Sequence, residues 1–187
     1  MQHSFCNIDE SAELLEQAKR LLLDTFTKVG MWLDLDEKEA AETIEESLED
    51  GNICIGIKIG EQLIGWVGLR PMYKLTWELH PLVLAMEWHG RGYGKILMQE
   101  LEQQARKRGI IGIFVGSDDE AGKTSLSNPT ITNENVAAIF DEIRNISNYD
   151  SHPYEFYVKC GFSIVGIIPN ANGKQKPDIL LWKDISH

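Results

Sequence analysis

The sequence has few cysteines, no long apolar run and no excess of basic residues. Its only cysteines, Cys6, Cys54 and Cys160, are widely spaced and odd in number, so we expect neither a disulfide framework nor a structural zinc site. The longest apolar runs, such as 21–23 and 110–115, are far shorter than the roughly 20 residues of a membrane helix. The first residues lack the basic and apolar regions of a secretory signal, and we therefore expect a cytoplasmic protein.

The charge of the chain is acidic and unevenly distributed. Lys and Arg number 18 against 29 Asp and Glu, which gives a net charge of −11 and disfavours nucleic acid and anionic membranes as partners. Residues 1–50 carry 14 acidic and 4 basic side chains, so this segment holds most of the net charge. Such a segment either forms a solvated acidic face or attracts a polycation, and composition leaves both interpretations open.

Length and hydrophobic periodicity predict one α/β domain over residues 1–187. Ser11 caps a first helix that Gly30 is predicted to stop, and an Asp36–Glu39 capping box opens a second. The remaining predicted elements are strands at 53–59, 63–69 and 79–86, a helix at 93–108, a strand at 110–115, helices at 135–146 and 153–160, and strands at 162–168 and 179–182. This order predicts a single mixed sheet with helices on both faces.

A glycine-rich turn joins the third of these strands to the helix at 93–108. Gly90, Gly92 and Gly94 alternate along it, with Arg91 among them, and small residues leave backbone N–H groups accessible at a helix N-terminus, where anions bind. The spacing matches neither a Walker loop nor the dinucleotide fingerprint. The turn therefore predicts a cradle for a pyrophosphate.

Several runs of residues resemble a known enzyme family. The strand and glycine turn, followed later by 156–162 (FYVKCGF), resemble the acetyl-coenzyme A motifs of the GNAT (Gcn5-related N-acetyltransferase) superfamily. A closer resemblance, to the aminoglycoside 6′-N-acetyltransferases, rests on 66–73 (WVGLRPMY), 77–83 (WELHPLV), 152–157 (HPYEFY) and 164–173 (IVGIIPNANG). It implies a GNAT-like fold, acetyl-coenzyme A as co-substrate without a metal, and a cationic aminoglycoside as acceptor, and it permits a homodimer.

The resemblance also implies which residues bind the cofactor. They lie at the end of the strand and in the turn: Leu82, Val83, Leu84, His89, Gly90, Arg91, Gly92, Tyr93 and Gly94. His89 departs from the superfamily, in which Gln or Arg usually opens the turn. Its side chain is therefore expected to contribute less to phosphate binding than the backbone does.

Amine acetylation requires a group that accepts a proton from the acceptor's ammonium. Glu78 is the candidate base, because a two-residue strand period would place Glu78, His80 and Leu82 on one face leading to the glycine turn. The Glu-Leu-His-Pro-Leu-Val run is also a site segment in similar enzymes. Alternatively, Glu78 only binds the cation or pairs with Lys74 on the surface, and His80 is a core imidazole.

Two further groups are expected to stabilise the charges that develop on the thioester during acetyl transfer. Tyr157 matches the superfamily position whose hydroxyl serves the leaving thiolate, although an aromatic residue between a helix and a sheet can be a packing residue. The backbone N–H of Leu82 or its neighbours can stabilise the developing oxyanion. With no Gly-x-Ser-x-Gly elbow in the sequence, we expect direct transfer in a ternary complex.

A polycationic sugar requires carboxylates and aromatic faces in its binding site. Asp118, which opens an acidic run at 118–120, is the candidate carboxylate, and Tyr73 and Trp32 are candidate aromatic contacts. The run can also be a solvated loop, and Trp32 can belong to the core. The other functions left open are acetylation of another amine, such as a polyamine or a protein N-terminus, and a non-catalytic acyl-coenzyme A-binding module.

Overall fold

The computed structural model describes residues 2–29, 32 and 35–187, with only the backbone of Val29. The predicted helix stop at Gly30 lies outside the described residues. In chain order the elements are β1 (Ser4–Cys6), α1 (Ala12–Val29), α2 (Glu37–Ser47), β2 (Ile53–Ile59), β3 (Gln62–Pro71), β4 (Thr76–Leu84), α3 (Tyr93–Lys107), β5 (Gly112–Asp118), α4 (Ile139–Arg144), α5 (Tyr154–Lys159), β6 (Ser163–Ile168) and β7 (Asp178–Asp184).

The chain divides into two compact units, residues 1–113 with 184–187, and residues 114–183. In the first unit β1, β2, β3 and β4 follow one another as antiparallel neighbours, and β5 begins where the Gly112 amide donates to the carbonyl of Leu75 (3.1 Å). In the second unit β7 lies between β5 and β6, and it pairs with β6 in the antiparallel sense. The predicted α/β class with one sheet is confirmed.

Helices cover both faces of the strands in the first unit, as predicted. On one face α1 and α2 pack over a core that includes Trp66 and Val83, and the Trp66 indole donates to the carbonyl of Ala18 (3.2 Å). The opposite face carries Ile55 and Val67, which pair across β2 and β3, and α3 contacts both of these strands. Burial on both sides explains why β3 is a nearly continuous apolar run rather than an alternating one.

A bulge in β4 changes the predicted relation of the site residues. Glu78 pairs with Arg70, whereas Leu82 pairs with Val67, so β4 contains one residue more than β3 between these pairs. Arg70 and Val67 are three residues apart on a regular strand and therefore face opposite ways. The prediction that Glu78 and Leu82 share a face is thus wrong. The two-residue period fails where Gly68, which has no side chain, lets β3 approach the carbonyl of His80.

The local signals at the helix starts are confirmed. The Asp36 carboxylate accepts the amides of Lys38 and Glu39 (2.8 and 2.9 Å), and the Ser11 hydroxyl accepts the amide of Leu14 (3.2 Å). The three-residue strand β1 was not predicted, and the helix expected at 135–146 is shorter, a 3-10 turn followed by α4. Among the described helices none has the length and apolar character of a membrane span.

Candidate active site

The glycine turn ends in a helix N-terminus that no side chain caps. Gly92 is the N-cap of α3 with φ +87°, and Gly90 has φ +70°. The first bond into the helix runs from the Ile96 amide to the Gly92 carbonyl (3.1 Å), so the preceding amides of the first turn have no helical acceptor. A Cβ at Gly90 or Gly92 would meet no atom within 4 Å. This open, N–H-rich turn fits the pyrophosphate of coenzyme A.

Residues of the glycine turn pack against the ring of Trp88, which directly precedes the turn. The Arg91 guanidinium lies over the Trp88 ring, 5.1 Å from its centroid, and the Tyr93 ring meets Trp88 edge-on at 5.3 Å. Arg91 is exposed, whereas Tyr93 is buried. Arg91 therefore offers its charge at the surface of the turn, and Tyr93 has its ring in the core with its backbone amide in the first turn of α3.

The side chain of His89 is occupied by the protein itself. Its Nε2 lies 2.8 Å from the carbonyl oxygen of Leu84, and because a carbonyl only accepts, Nε2 carries the hydrogen. The Thr25 hydroxyl approaches the same oxygen at 3.5 Å. This bond ties the turn to the end of β4, which gives a physical reason for an imidazole at this position.

Antiparallel pairing sets the direction of the Leu82 amide. The amide of Ala85, next after β4, donates to the Ile64 carbonyl (2.8 Å), and in an antiparallel ladder every second residue bonds to the partner strand. Val83, opposite Trp66, therefore bonds to β3, whereas Leu82 and Leu84 direct their N–H and C=O groups away from β3. The neighbour of β4 on that side is β5, and the role of the Leu82 amide as an oxyanion donor stays a prediction.

Glu78 belongs to a cluster of three charged side chains. Its Oε2 accepts from Nε of Arg70 at 2.7 Å, and a terminal nitrogen of Arg70 reaches Oε2 of Glu46 on α2 at 3.1 Å. The Glu78 side chain is 24% exposed. The cluster carries one net negative charge and presents a half-buried carboxylate held through one oxygen. Its partner is Arg70, not Lys74 as in the alternative considered above.

Sequence reasoning missed this role of Arg70. The signal was available, because a hairpin in which Pro71 pairs with Trp77, across residues 72–76, places Arg70 directly opposite Glu78. Glu46 was not accessible in the same way, since its approach to Arg70 depends on how α2 packs against the strands.

Trp32 and His80 come together on the α1 side of the strands. The Trp32 ring lies 5.2 Å from the His80 ring and 4.6 Å from that of Phe26, and both Trp32 and His80 are half-buried. Tyr73 lies in the turn between β3 and β4, and it is 66% exposed. Trp32 thus packs on the core through Phe26 and keeps part of its surface exposed.

In the second unit Tyr157 is a buried residue of α5. Its ring meets that of Phe162 edge-on at 5.7 Å, and burial raises its pKa far above the ordinary value. The hydroxyl is therefore un-ionised at neutral pH, and a neutral tyrosine can donate a hydrogen bond.

The acidic run at 118–120 is not a uniform patch. Asp118 is half-buried, whereas Asp119 is turned inward and accepts from the Thr124 hydroxyl at 2.7 Å and from the Ser127 hydroxyl. Burial acts to raise the pKa of Asp119, but the bonds from Ser127 and Thr124 outweigh it and lower the pKa. Asp119 is therefore part of the fold, which leaves Asp118 as the candidate for the acceptor. The residues that the structure describes contain no group of three potential metal ligands.

The glycine turn yields a prediction with a matched control. In Gly92→Ala and Gly109→Ala the new Cβ enters open space at φ +87° and +77°, at opposite ends of α3, so each variant bears a similar strain of about 1–2 kcal/mol. We expect similar losses of thermal stability, but about tenfold weaker coenzyme A binding in Gly92→Ala alone, because the methyl group obstructs the amides. Calorimetric titration with coenzyme A measures both variants. Equal affinities would contradict this placement of the pyrophosphate.

Comparison with known proteins identifies the family. A model of the acetyltransferase (GNAT) family matches residues 15–123. Three solved structures match 99% of this chain and 97% of the length of their own chains. They are an aminoglycoside 6′-N-acetyltransferase complexed with coenzyme A (34% identity, TM-score 0.85), the aminoglycoside 6′-N-acetyltransferase from Enterococcus faecium (33% identity, TM-score 0.82) and an aminoglycoside 6′-acetyltransferase of type Ii (30% identity, TM-score 0.70). No curated protein matches. The family match and the near-complete structural coverage confirm the predicted resemblance and fold, and the chain belongs to the GNAT acetyltransferase family.

Proposed function

We propose that this protein transfers the acetyl group of acetyl-coenzyme A to the 6′-amine of aminoglycoside antibiotics, and so confers resistance to them. The observation that carries the proposal is the 33–34% identity, over nearly the whole of both chains, to two aminoglycoside 6′-N-acetyltransferases. The transfer is direct, within a ternary complex. Acetyl-coenzyme A supplies the activated acyl group, and the residues of this chain bind it and handle the acceptor's proton.

The acceptor's amine is protonated at neutral pH, because an alkyl ammonium has a pKa of roughly 10. Glu78 is the group that attracts this cation and takes its proton, directly or through one water. Arg70 holds Oε2 of Glu78 at 2.7 Å and fixes the carboxylate on its strand, so the proton is accepted at the other oxygen. The negative charge of the Glu46–Arg70–Glu78 cluster favours a cation over a neutral acceptor.

Two groups donate hydrogen bonds to the atoms that gain negative charge during acetyl transfer. The N–H of Leu82, directed away from β3, is the proposed donor to the oxyanion. The Tyr157 hydroxyl, which is protonated at neutral pH as any tyrosine is, is the proposed hydrogen-bond donor to the leaving sulfur. The two groups act on different atoms, so removal of either should lower turnover without abolishing cofactor binding.

The proposed acceptor contacts are aromatic in the first unit and acidic in the second. Trp32, His80 and Tyr73 offer ring surfaces to the sugar, and Asp118 offers a carboxylate to a second ammonium group. We also infer a cytoplasmic protein. The net charge of −11 supports the further inference that it does not bind nucleic acid or anionic membranes. A single catalytic domain over residues 1–187 and a homodimer remain predictions.

The proposal is tested by a thiol-release assay with acetyl-coenzyme A and a panel of acceptors. The panel contains aminoglycosides with a 6′-amine, a polyamine, and a peptide with a free N-terminus, and the control omits the acceptor. We expect thiol release above the control only with the aminoglycosides. Release with the polyamine or the peptide alone would show that another amine is the acceptor. No release with any acceptor would contradict the proposed acetyltransferase activity.

A further inference from the structure

A buried histidine in the second unit has both ring nitrogens bonded to backbone groups. His152 is 2% exposed, its Nε2 lies 3.0 Å from the carbonyl oxygen of Asp118, and its Nδ1 accepts from the amide of Tyr154 at 3.2 Å. A carbonyl only accepts and an amide N–H only donates. The ring is therefore neutral, with its hydrogen on Nε2.

These two bonds join the two elements of this unit that carry proposed site residues. Asp118 is the last residue of β5, and its carboxylate accepts from the side-chain amide of Asn172. Tyr154 is the first residue of α5, where a backbone amide has no helical acceptor, and Tyr157 follows one turn later. One imidazole thus holds the end of β5 against the start of α5.

The surroundings keep the ring in place and neutral. The backbone of His152 exchanges two hydrogen bonds with the side chain of Asn148 (2.8 and 3.0 Å). Burial lowers the pKa of His152, opposed by its bond to Asp118 and by the charge of Asp119, while Lys123 adds to the lowering. The ring of Tyr154 lies beside it, with centroids 5.7 Å apart. A proton on Nδ1 would oppose the amide of Tyr154 and break the connection.

We propose that His152 is a positioning residue, which sets the Asp118 carboxylate for the acceptor through Nε2 and the Tyr157 hydroxyl for the leaving thiolate through Nδ1. The inference rests on the proposed function, since it assigns these roles to Asp118 and Tyr157. The new element is that His152, which itself touches neither the acceptor nor the thiolate, positions Asp118 and Tyr157 through two separate hydrogen bonds.

Two substitutions separate the two bonds. In His152→Gln the longer side chain places an amide N–H near the position of Nε2 and retains donation to Asp118, but it leaves the amide of Tyr154 without its acceptor. In His152→Asn the shorter side chain places an oxygen near Nδ1 and retains the bond to Tyr154, but it loses Asp118. The two variants are thus controls for each other.

The expected kinetics are opposite. For His152→Gln we expect kcat to fall about tenfold with the acceptor KM within about twofold of wild type, and for His152→Asn the acceptor KM to rise about tenfold with kcat nearly kept. Lower melting temperatures with unchanged kcat and KM would overturn the proposal in favour of a packing role, and so would equal changes of kcat and KM in both variants.

A measurement on the unmodified protein covers the case in which neither variant folds. Nitrogen NMR of the protein with labelled histidine should show His152 as the neutral form with hydrogen on Nε2 at neutral pH, and hydrogen on Nδ1 or a charged ring would overturn the proposal. Failure of the proposed function is recognised separately, because wild type then acetylates no aminoglycoside. The split between kcat and KM is in that case measured with whichever amine the panel identifies.

Discussion

Replacement of Glu78 by glutamine should lower turnover at saturating acceptor by roughly 10²–10⁴-fold, the range that general-base assistance provides. Glutamine keeps the shape of the side chain and can still contact Arg70, but it has neither the charge nor the basicity of a carboxylate. The loss should appear in kcat, because the proton leaves the amine as the new bond forms. Steady-state kinetics with a 6′-amino aminoglycoside measure it.

The matched control is Glu46→Gln. Glu46 bonds the same Arg70 guanidinium at 3.1 Å, and the substitution removes the same charge from the same cluster. We expect less than about tenfold loss of kcat in this variant, because Glu46 holds Arg70 and adds charge to the cluster but takes no proton from the acceptor. Losses of kcat of equal size in both variants would show that Glu78 contributes negative charge and is not the general base.

The pH dependence separates a base from a cation-binding group. If Glu78 accepts the proton, the acidic limb of the wild-type profile of kcat should be absent or shifted in Glu78→Gln, with coenzyme A affinity unchanged. If it only binds the cation, the loss should fall on the acceptor KM, and high acceptor concentration should restore the rate. Wild-type kcat with the same acidic limb would assign the base to another residue, with His80 tested next.

Substitution of Tyr157 by phenylalanine should lower kcat by about 10–100-fold with small changes in either KM. The variant removes one hydroxyl, whose hydrogen bond is worth most when sulfur acquires charge, and a hydrogen bond to a charged group contributes about 1.5–3 kcal/mol. The buried ring and its contact with Phe162 are kept, so the fold should tolerate the change.

Tyr154→Phe is the control for this prediction. Tyr154 lies on the same helix with a nearly equal exposure, 7% against 8% for Tyr157, and its backbone amide, which bonds His152, is unaffected. We expect kcat within about twofold of wild type. An unchanged kcat in Tyr157→Phe, under conditions where pre-steady-state kinetics show that chemistry limits the rate, would make Tyr157 a packing residue.

The sequence predicted those features that a short stretch of chain determines. The capping box at Asp36 and the glycine turn at residues 90–94 depend on residues within a few positions of one another, and both occur as predicted. The geometry of the glycine turn could therefore be predicted from the residues themselves, whereas its contact with the cofactor stays a prediction. The direction of the Leu82 amide follows from strand pairing, and its role as an oxyanion donor stays a prediction.

Features that depend on tertiary packing could not be predicted in the same way. The bulge in β4 arises from how Gly68 and His80 approach one another across two strands, and it placed Glu78 and Leu82 on opposite faces. The inward orientation of Asp119 requires hydroxyl groups five and eight residues further along a loop. The bonds of His152 join residues 34 positions apart, and no periodic pattern encodes such a distance.

The most direct test of the central claim is the position of the acetyl group in the product. Two aminoglycosides that differ only in an amine or a hydroxyl at position 6′ are incubated with the enzyme and acetyl-coenzyme A, and the products are analysed by mass spectrometry and two-dimensional NMR. We expect one acetyl group on the 6′-nitrogen of the first compound and no reaction of the second. Acetylation of another nitrogen, or equal acetylation of both compounds, would contradict the account.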